Sequence, residues 1–440
     1  MRRALLVLIA LAVVAAATLW IADRPGTVTL AVADLVVEAP LWLVGLASAL
    51  LLIVFGGLVW LLARLRGWWQ RRRLKRALRH RDEGDAAVVA ALEALAAGDG
   101  PAALKSGRKA RKLLGDTPLT LLLTGHAARA AGEIDAAEQS FRSLAGRKGA
   151  GAFLGHRGLA QLAVERGAQG EAAEAAKAAL ALRPNAVWAQ TIAFTDSVRH
   201  HDWRGALRLL PEARGDAETG YRRASLLLAA AAEEAEPTAA QRLEEEAVSA
   251  APGLAPAHAA LVRRLRAADR TRAADKALER GLAAASHPML AALALEPTPG
   301  EPKSARARRV ASLAGQVGGA EMALAAARAA LEAEQWAEAR RWIERARAGG
   351  LEDRRLHVLL AELAEREFAG TERARTEAEA HWRDAATAPA EPEWTCTSCG
   401  ASQPEWTPAC TNCGTVGALR WGEAAAITPR LALPAPIPGL

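Results

Sequence analysis

The sequence predicts an all-α protein: a membrane anchor, a long run of paired helices, and a small metal knuckle at the end. Three observations carry this. The apolar half of the 440 residues is mostly Ala, Leu and Val, with few aromatics and one tyrosine. Such a mixture packs helices closely and is poor in the side chains that strands favour. Two stretches near the start are apolar and uncharged, and all four cysteines lie between Trp394 and Trp421 as two CxxC pairs.

Residues 4–22 and 41–63 carry no charge. At a rise of ~1.5 Å per residue, each is long enough to cross a hydrocarbon core of ~30 Å. Both read as transmembrane helices, and residues 1–81 as the anchor. The first stretch also has features of a cleavable signal, with Arg2 and Arg3 ahead of it and alanines at 15–17. Its length, and the second span behind it, favour a retained helix. Between the spans lie Asp23, Arg24, Asp34 and Glu38, and the segment GTVTLAVADLVVEA, beginning at Gly26, reads as a short extracytoplasmic β segment.

The formal net charge of +7 is a topology signal. Nine basic residues and no acidic one fall between Arg64 and Arg81, and residues 1–63 are balanced. Removing these nine from +7 leaves −2 for everything after Arg81. A mildly acidic body lacks the basic surface that phosphate binding needs, which argues against nucleic acid as a partner. By the positive-inside rule, the basic run puts Met1 and the chain after Arg64 in the cytoplasm, giving a two-pass protein of the inner membrane. Trp42, Trp60, Trp68 and Trp69 suit interface anchors, and the run suits anionic lipid headgroups.

The body reads as repeats. In residues 121–145, Gly125, Ala128, Gly132, Ala137 and Phe141 fall where a tetratricopeptide repeat places its small residues and an aromatic. The next unit supplies Ala160, Ala163, Gly167 and Ala172 in register, then Ala179 and Pro184. Looser units follow around Trp203 and Ala206, up to Pro252, and at Val262, Leu265, Ala274 and Leu278. The pattern returns at Ala327, Ala330, Trp336, Ala339, Ile343 and Ala346, and a last helix pair runs over 354–386. A single pair cannot bury its apolar stripe, so stacked neighbours form a tetratricopeptide-like α-solenoid. Its concave face is the surface expected to take partner proteins, with His126, Arg129, Gln161 and Glu165 as candidates.

Pro297, Pro299 and Pro302 interrupt the array. The reading is therefore one block of repeats over 82–295, a Pro-rich hinge at 296–304, and a second block over 305–390. The metal knuckle spans 391–422. After it, 423–440 carries four prolines and reads as a disordered tail.

In the knuckle, Cys396, Cys399, Cys410 and Cys413 have the spacing that brings four thiolates around one tetrahedral ion. Gly400 and Gly414 let each turn aim backbone N–H groups at sulfur, and Trp394, Trp406 and Trp421 supply a miniature core. A reducing cytoplasm disfavours disulfides, so metal is the better account of the pairs than a redox dithiol. Zinc is favoured, with rubredoxin-like iron as the alternative. Four filled positions make the site structural, capping the last repeat or presenting a small surface to a partner. No GxGxxG, GxxxxGK or GxSxG motif occurs. The expectation is a protein without catalytic residues.

The loop opening at Arg24, Pro25 and Gly26, the Val37 to Pro40 entry to the second span, the basic junction and the repeats together resemble the HemY membrane-anchored repeat family of proteobacteria. The ending, W-x-C-x-x-C-G then W-x-x-x-C-x-x-C and a final Trp, looks like the alphaproteobacterial form. It is also similar to the rubredoxin-like knuckle that ends lipopolysaccharide assembly protein B. The resemblance implies an association with haem biosynthesis. It does not extend to the flavin-dependent protoporphyrinogen oxidase of the same name, which requires a dinucleotide fingerprint absent here.

Two functions follow as expectations. The first is a scaffold tethered at the inner face of the inner membrane that gathers cytoplasmic or membrane proteins. The alternative is a protein of the tetrapyrrole pathway that binds haem or porphyrin directly, although no CxxCH motif is present.

Overall fold

The computed structural model describes residues 26–32, 35–210 and 216–422, together with Val13, Ala16 and Trp20. Apart from those three positions the first expected span, 4–22, lies outside the described residues, as does the tail at 423–440. The chain divides into two compact units, Met1–Leu144 and Ala145–Leu440.

The first unit opens with an antiparallel hairpin of β1 (Thr27–Val32) and β2 (Leu35–Pro40), pairing Thr27 with Pro40 and Val32 with Leu35. This is the strand-like segment expected between the spans. Pro40 then leads into α1 (Leu41–Ala96), a single helix of 56 residues. The boundary expected at 81/82 is therefore no break, because the anchor segment and the first repeat helix are one rod. Its opening stretch, 41–63, is uncharged, and Leu50, Leu51, Ile53 and Val54 are each at least half exposed. Among the described residues no helix is long and apolar enough to cross a membrane, and six side chains of 41–63 fall outside the description.

The second half of α1 is amphipathic. Ala87, Val88 and Ala91 bury against Ala110 of α2 (Gly100–Leu114) and Leu123 of α3 (Pro118–Ala130). The helix starts have local causes. Asp99 accepts from the Ala102 N–H at 3.0 Å, and Thr117 and Thr120 form a reciprocal capping box. In α4 (Ile134–Ala145), Phe141 is fully buried against Gly125, where a Cβ would stand 2.6 Å from the ring. Position 125 must be small because the aromatic sixteen residues later fills its space.

The second unit continues as helices α5 (Ala150–Glu165), α6 (Gln169–Leu182), α7 (Val187–Arg199), α8 (Trp203–Leu209), α9 (Ala217–Glu233), α10 (Pro237–Ala250), α11 (Ala255–Ala267) and α12 (Thr271–Ala284). Beyond them come α13 (Pro288–Leu295), α14 (Lys303–Val317), α15 (Ala320–Glu332), α16 (Trp336–Ala348), α17 (Arg354–Glu367) and α18 (Glu372–Thr387). Consecutive helices pack on one another through Ala and Leu. Ala160, Ala163, Ala172, Ala179, Ala206, Val262, Leu265, Ala274, Leu278, Ala327, Ala330, Ala339, Ile343 and Ala346 are all buried. These are the core positions expected from the repeat register.

The turns show a beat that the residue types only half reveal. Left-handed backbone occurs at Gly98, Gly132, Gly167, His201, Asp269, Glu334 and Gly370. Gly98 to Gly132, and Gly167 to His201, are 34 residues apart, and 201 to 269 is twice that. That is the tetratricopeptide period. At three of these turns a side chain accepts the conformation that glycine takes elsewhere, so the repeat outlasts its sequence signature.

The Pro-rich segment at 296–304, expected as a hinge, does not divide the core. One continuous cluster runs from Ala255 in α11 to Leu363 in α17. Arg309 of α14 ties the segment down. Its Nε donates to Glu301 at 2.8 Å, Nη1 to the Ala294 carbonyl at 2.9 Å and Nη2 to the Glu296 carbonyl at 3.1 Å. The guanidinium holds the Glu301 carboxyl down at about 2. The prolines end one helix and start the next, while the packing around them carries on.

Candidate metal centre

After α18 the chain forms a three-stranded antiparallel sheet, with β3 (Glu393–Cys396) between β4 (Ser402–Gln403) and β5 (Leu419–Gly422). Two turns hang from it with the same hydrogen bonds. Cys396 N–H donates to the Ala401 carbonyl and Gly400 N–H to the Cys396 carbonyl; Cys410 N–H donates to Thr415 and Gly414 N–H to Cys410. Gly400 and Gly414 have φ of 74° and 71°, the left-handed conformation each turn requires. The duplication turns each cysteine pair inward.

The four Sγ atoms lie within 4.8 Å of one another, with Cys396 to Cys413 at 3.7 Å and Cys399 to Cys410 at 3.8 Å. Sulfurs on one ion at ~2.3 Å in a tetrahedron are separated by about 3.8 Å, so the donor set fits a single four-thiolate ion. A disulfide needs about 2.05 Å, and all four cysteines are free. Cys396 and Cys410 are buried whereas Cys413 is exposed.

The environment favours the thiolate at Cys413 and opposes it at Cys396 and Cys410. Burial pushes the Cys396 thiol up to about 12 against the N–H groups of Cys399 and Ser398, and burial raises Cys410 likewise. At Cys413 burial also opposes ionisation, but the Thr415 hydroxyl and N–H and the neighbouring sulfurs draw it down to about 6. Asn412 Nδ2 reaches Cys399 Sγ at 3.5 Å. A bound cation supplies the charge that ionises the buried pair.

The knuckle does not sit at the end of the array. It folds back onto the middle of the second unit, and three contacts fix it there. Val416 joins Ala206 and Leu226, of α8 and α9, in one cluster. Trp406 packs against the cluster of Ala224, Leu227 and Leu254. Arg420 lays its guanidinium over the Tyr221 ring, 3.9 Å from the centroid. At Gly417, φ is 63° and a Cβ would stand 2.7 Å from the Arg222 Cα, so only glycine lets the two backbones approach.

The tryptophans expected to form a private core instead share it with the repeats. Trp394 and Trp421 pair across β3 and β5 with ring centroids 5.4 Å apart. His287, at the start of α13, stands against both rings at 5.1 and 4.4 Å. Its Nδ1 accepts from the Met289 N–H at 3.0 Å, capping the helix. Sequence reasoning missed this residue. Its one signal was a histidine directly before Pro288, a helix-start position.

Burial, with Arg355 nearby, pushes His287 down from 6.5 to about 4. Its folded value thus lies below its unfolded one, and the unfolded chain takes up the proton first as pH falls. The stability it contributes is whole above pH 6.5 and is lost as pH drops towards 4. Docking of the knuckle should weaken over that window. His287→Asn keeps a capping acceptor and cannot be protonated, so it should flatten the slope of stability against pH, read by tryptophan fluorescence at constant metal loading. An unchanged slope would remove His287 as its origin.

Of the residues expected on the concave face, His126 stands edge-on to Phe141 with ring centroids 5.2 Å apart, a packing role within the first unit. Arg129 lies half-buried on the same helix, α3. Gln161 and Glu165 lie on α5 in the second unit, half-buried and exposed.

Residues 26–132 match the family model described as HemY protein N-terminus. No curated protein matches the chain. Among solved structures, a tetratricopeptide repeat protein from Parabacteroides merdae is 15% identical, covers 64% of this chain and 99% of its own, and has a TM-score of 0.29. The Naa15/Naa10 structure bound to HypK-THB is also 15% identical, covering 71% of this chain and 50% of its own at a TM-score of 0.33. The P58(IPK) tetratricopeptide repeat domain is 14% identical, covering 71% and 99% at 0.20.

Proposed function

We propose that this chain is a non-catalytic, HemY-like scaffold of the inner membrane whose helical repeats recruit partner proteins at the cytoplasmic face. The observation that carries the reading is the continuity of α1. Its opening stretch, 41–63, is uncharged and exposes large apolar side chains, and its second half is packed into the first repeat. A helix apolar all round is stable only when something apolar surrounds it, and lipid is the medium consistent with an uncharged run of this length. The basic run beyond it favours a cytoplasmic body and contact with anionic headgroups, with Arg64 already stacked over Trp60 at 5.2 Å. A continuous helix holds the first repeat at a fixed distance from the bilayer, which suits a platform better than a flexible tether would.

The knuckle is a structural zinc site in this reading. Four thiolates at tetrahedral spacing fill the coordination sphere, and zinc is the commoner cytoplasmic ion for such a set, with iron as its competitor. A link to haem biosynthesis comes from the family match alone. The haem-binding alternative draws no support from the buried histidines: His258 Nε2 is bonded to the Pro252 carbonyl at 2.8 Å and His287 caps a helix.

Topology is testable directly. Alkaline phosphatase fused within 33–34 should be active and a C-terminal fusion inactive, with a C-terminal fluorescent protein bright. Phosphatase activity at the C-terminus would reverse the orientation. Proximity labelling from the C-terminus should recover membrane or biosynthetic proteins, and recovery at background level would sink the scaffold reading.

A further inference from the structure

The last helix pair carries a second group of metal-binding side chains, outside the knuckle. His357 is on α17, and His381 and Asp384 stand one turn apart on α18. One ligand atom from each lies within 4.8 Å of the other two. The Nδ1 atoms of His357 and His381 are 4.0 and 3.9 Å from Asp384 Oδ2.

Those distances are too long for hydrogen bonds. Both Nδ1 atoms are shielded from solvent, and neither has a hydrogen-bond partner among the described residues. A shielded ring nitrogen left unsatisfied is destabilising, and here two converge on one carboxylate. If both nitrogens are bare, their lone pairs face a negative oxygen. If either carries hydrogen, it falls about 1 Å short of the bond it ought to make. A cation between the three groups resolves the arrangement, taking a lone pair from each imidazole and its countercharge from Asp384.

We propose that His357, His381 and Asp384 bind a divalent transition-metal ion of the zinc class, clamping α18 onto α17. Imidazole with carboxylate suits ions of intermediate softness and is a poor set for magnesium or calcium, which take oxygen. Donors at ~2.1 Å in a tetrahedron lie about 3.4 Å apart, so binding brings the Asp384 carboxylate roughly half an ångström closer to each imidazole nitrogen. The Asp384 side chain is 58% exposed and free to make that rotation. Three protein ligands leave a coordination position on the solvent side, open to water or to a donor from a bound partner. The residues meet only because the hairpin closes, so the ion reports on and stabilises that closure.

Titrating the full-length chain with cobalt(II) and zinc tests this. The chain should take two equivalents. The first gives the intense thiolate charge-transfer absorption of the knuckle; the second is weaker, adds only faint visible bands of nitrogen and oxygen ligation, and raises the melting temperature. His381→Gln and His357→Gln should each lose the second equivalent and the melting shift while keeping the first. Cys396→Ser with Cys399→Ser should do the reverse. His381 is the more exposed of the two histidines, so H381Q keeps the test decisive should H357Q fold poorly. Uptake of a single equivalent by the unaltered chain, or two by both histidine variants, overturns the proposal.

Discussion

Replacing Cys396 and Cys399 by Ser should abolish the chelator-resistant metal equivalent and release the knuckle from the repeats. Structural four-ligand sites contribute on the order of 10 kcal/mol to the folding of the segment that holds them, and a segment of about thirty residues cannot replace that from its own core. Trp394, which is 4% exposed, should become solvated and its emission shift to the red. Far-ultraviolet helicity should hardly change, because the knuckle contains only short strands.

The effect should nevertheless spread beyond the knuckle. Val416 and Trp406 cover Ala206, Leu226, Ala224 and Leu227, so their departure bares apolar surface on α8 and α9. Hydrogen exchange should therefore accelerate in 203–209 and 217–233 of the variant while 150–182 stays protected. Retention of one tightly held metal per chain would refute the four-cysteine site. Loss of metal with unchanged exchange in α8 and α9 would refute the docked arrangement.

Arg355→Met should be the most damaging single change within the second repeat block. Arg355 Nη1 and Nη2 grip the Glu321 carboxylate at 2.9 and 2.8 Å, and Nη2 also donates to Asp353 Oδ2 at 2.6 Å. Burial opposes its charge, but Asp353 and Glu321 raise its pKa. All three side chains are less than a fifth exposed. Methionine fills the volume and leaves two carboxylates facing each other out of water, a loss of about 3–5 kcal/mol. That is a large share of the ~5–15 kcal/mol typical of a domain. The melting temperature should fall by roughly 10 °C. Adding Glu321→Gln and Asp353→Asn should recover most of it, since the penalty comes from unpaired charge and Asn still caps α17. A triple variant no more stable than the single one would place the damage in lost packing instead.

Much of the core was legible before any fold. Phe141 and Gly125, Ala160 and Ala163, Ala339 and Ile343 stood in the sequence at repeat spacing, and each is buried where two helices cross. Period alone determines which side of a helix faces its neighbour, so no coordinates are needed to name these positions. The four cysteines were equally plain, because a pair two residues apart can close on an ion through local turns, given Gly400 and Gly414 at φ near +70°. The hairpin at 27–40 was announced by its own strand-like run.

The turns at His201, Asp269 and Glu334 hid the beat because a left-handed backbone costs a side chain only modestly, and the surrounding helix pair supplies more than that cost. The prolines at 297–302 read as a hinge because proline breaks hydrogen-bond continuity along the chain. It has no power over packing across it, and the core from Ala255 to Leu363 runs on.

What the sequence determined by itself is what local spacing encodes: paired helices, their buried faces, a four-thiolate knuckle, and an uncharged run at the head of a basic one. What only the tertiary structure decided is where distant pieces meet. His287 against Trp394 and Trp421, Gly417 against Arg222, and His357 beside His381 and Asp384 are contacts between residues separated by 24 to over 190 positions. No periodicity relates such partners. Their meeting depends on the summed rotation of the intervening helices, and each helix adds its own small angle through the side chains at its crossings.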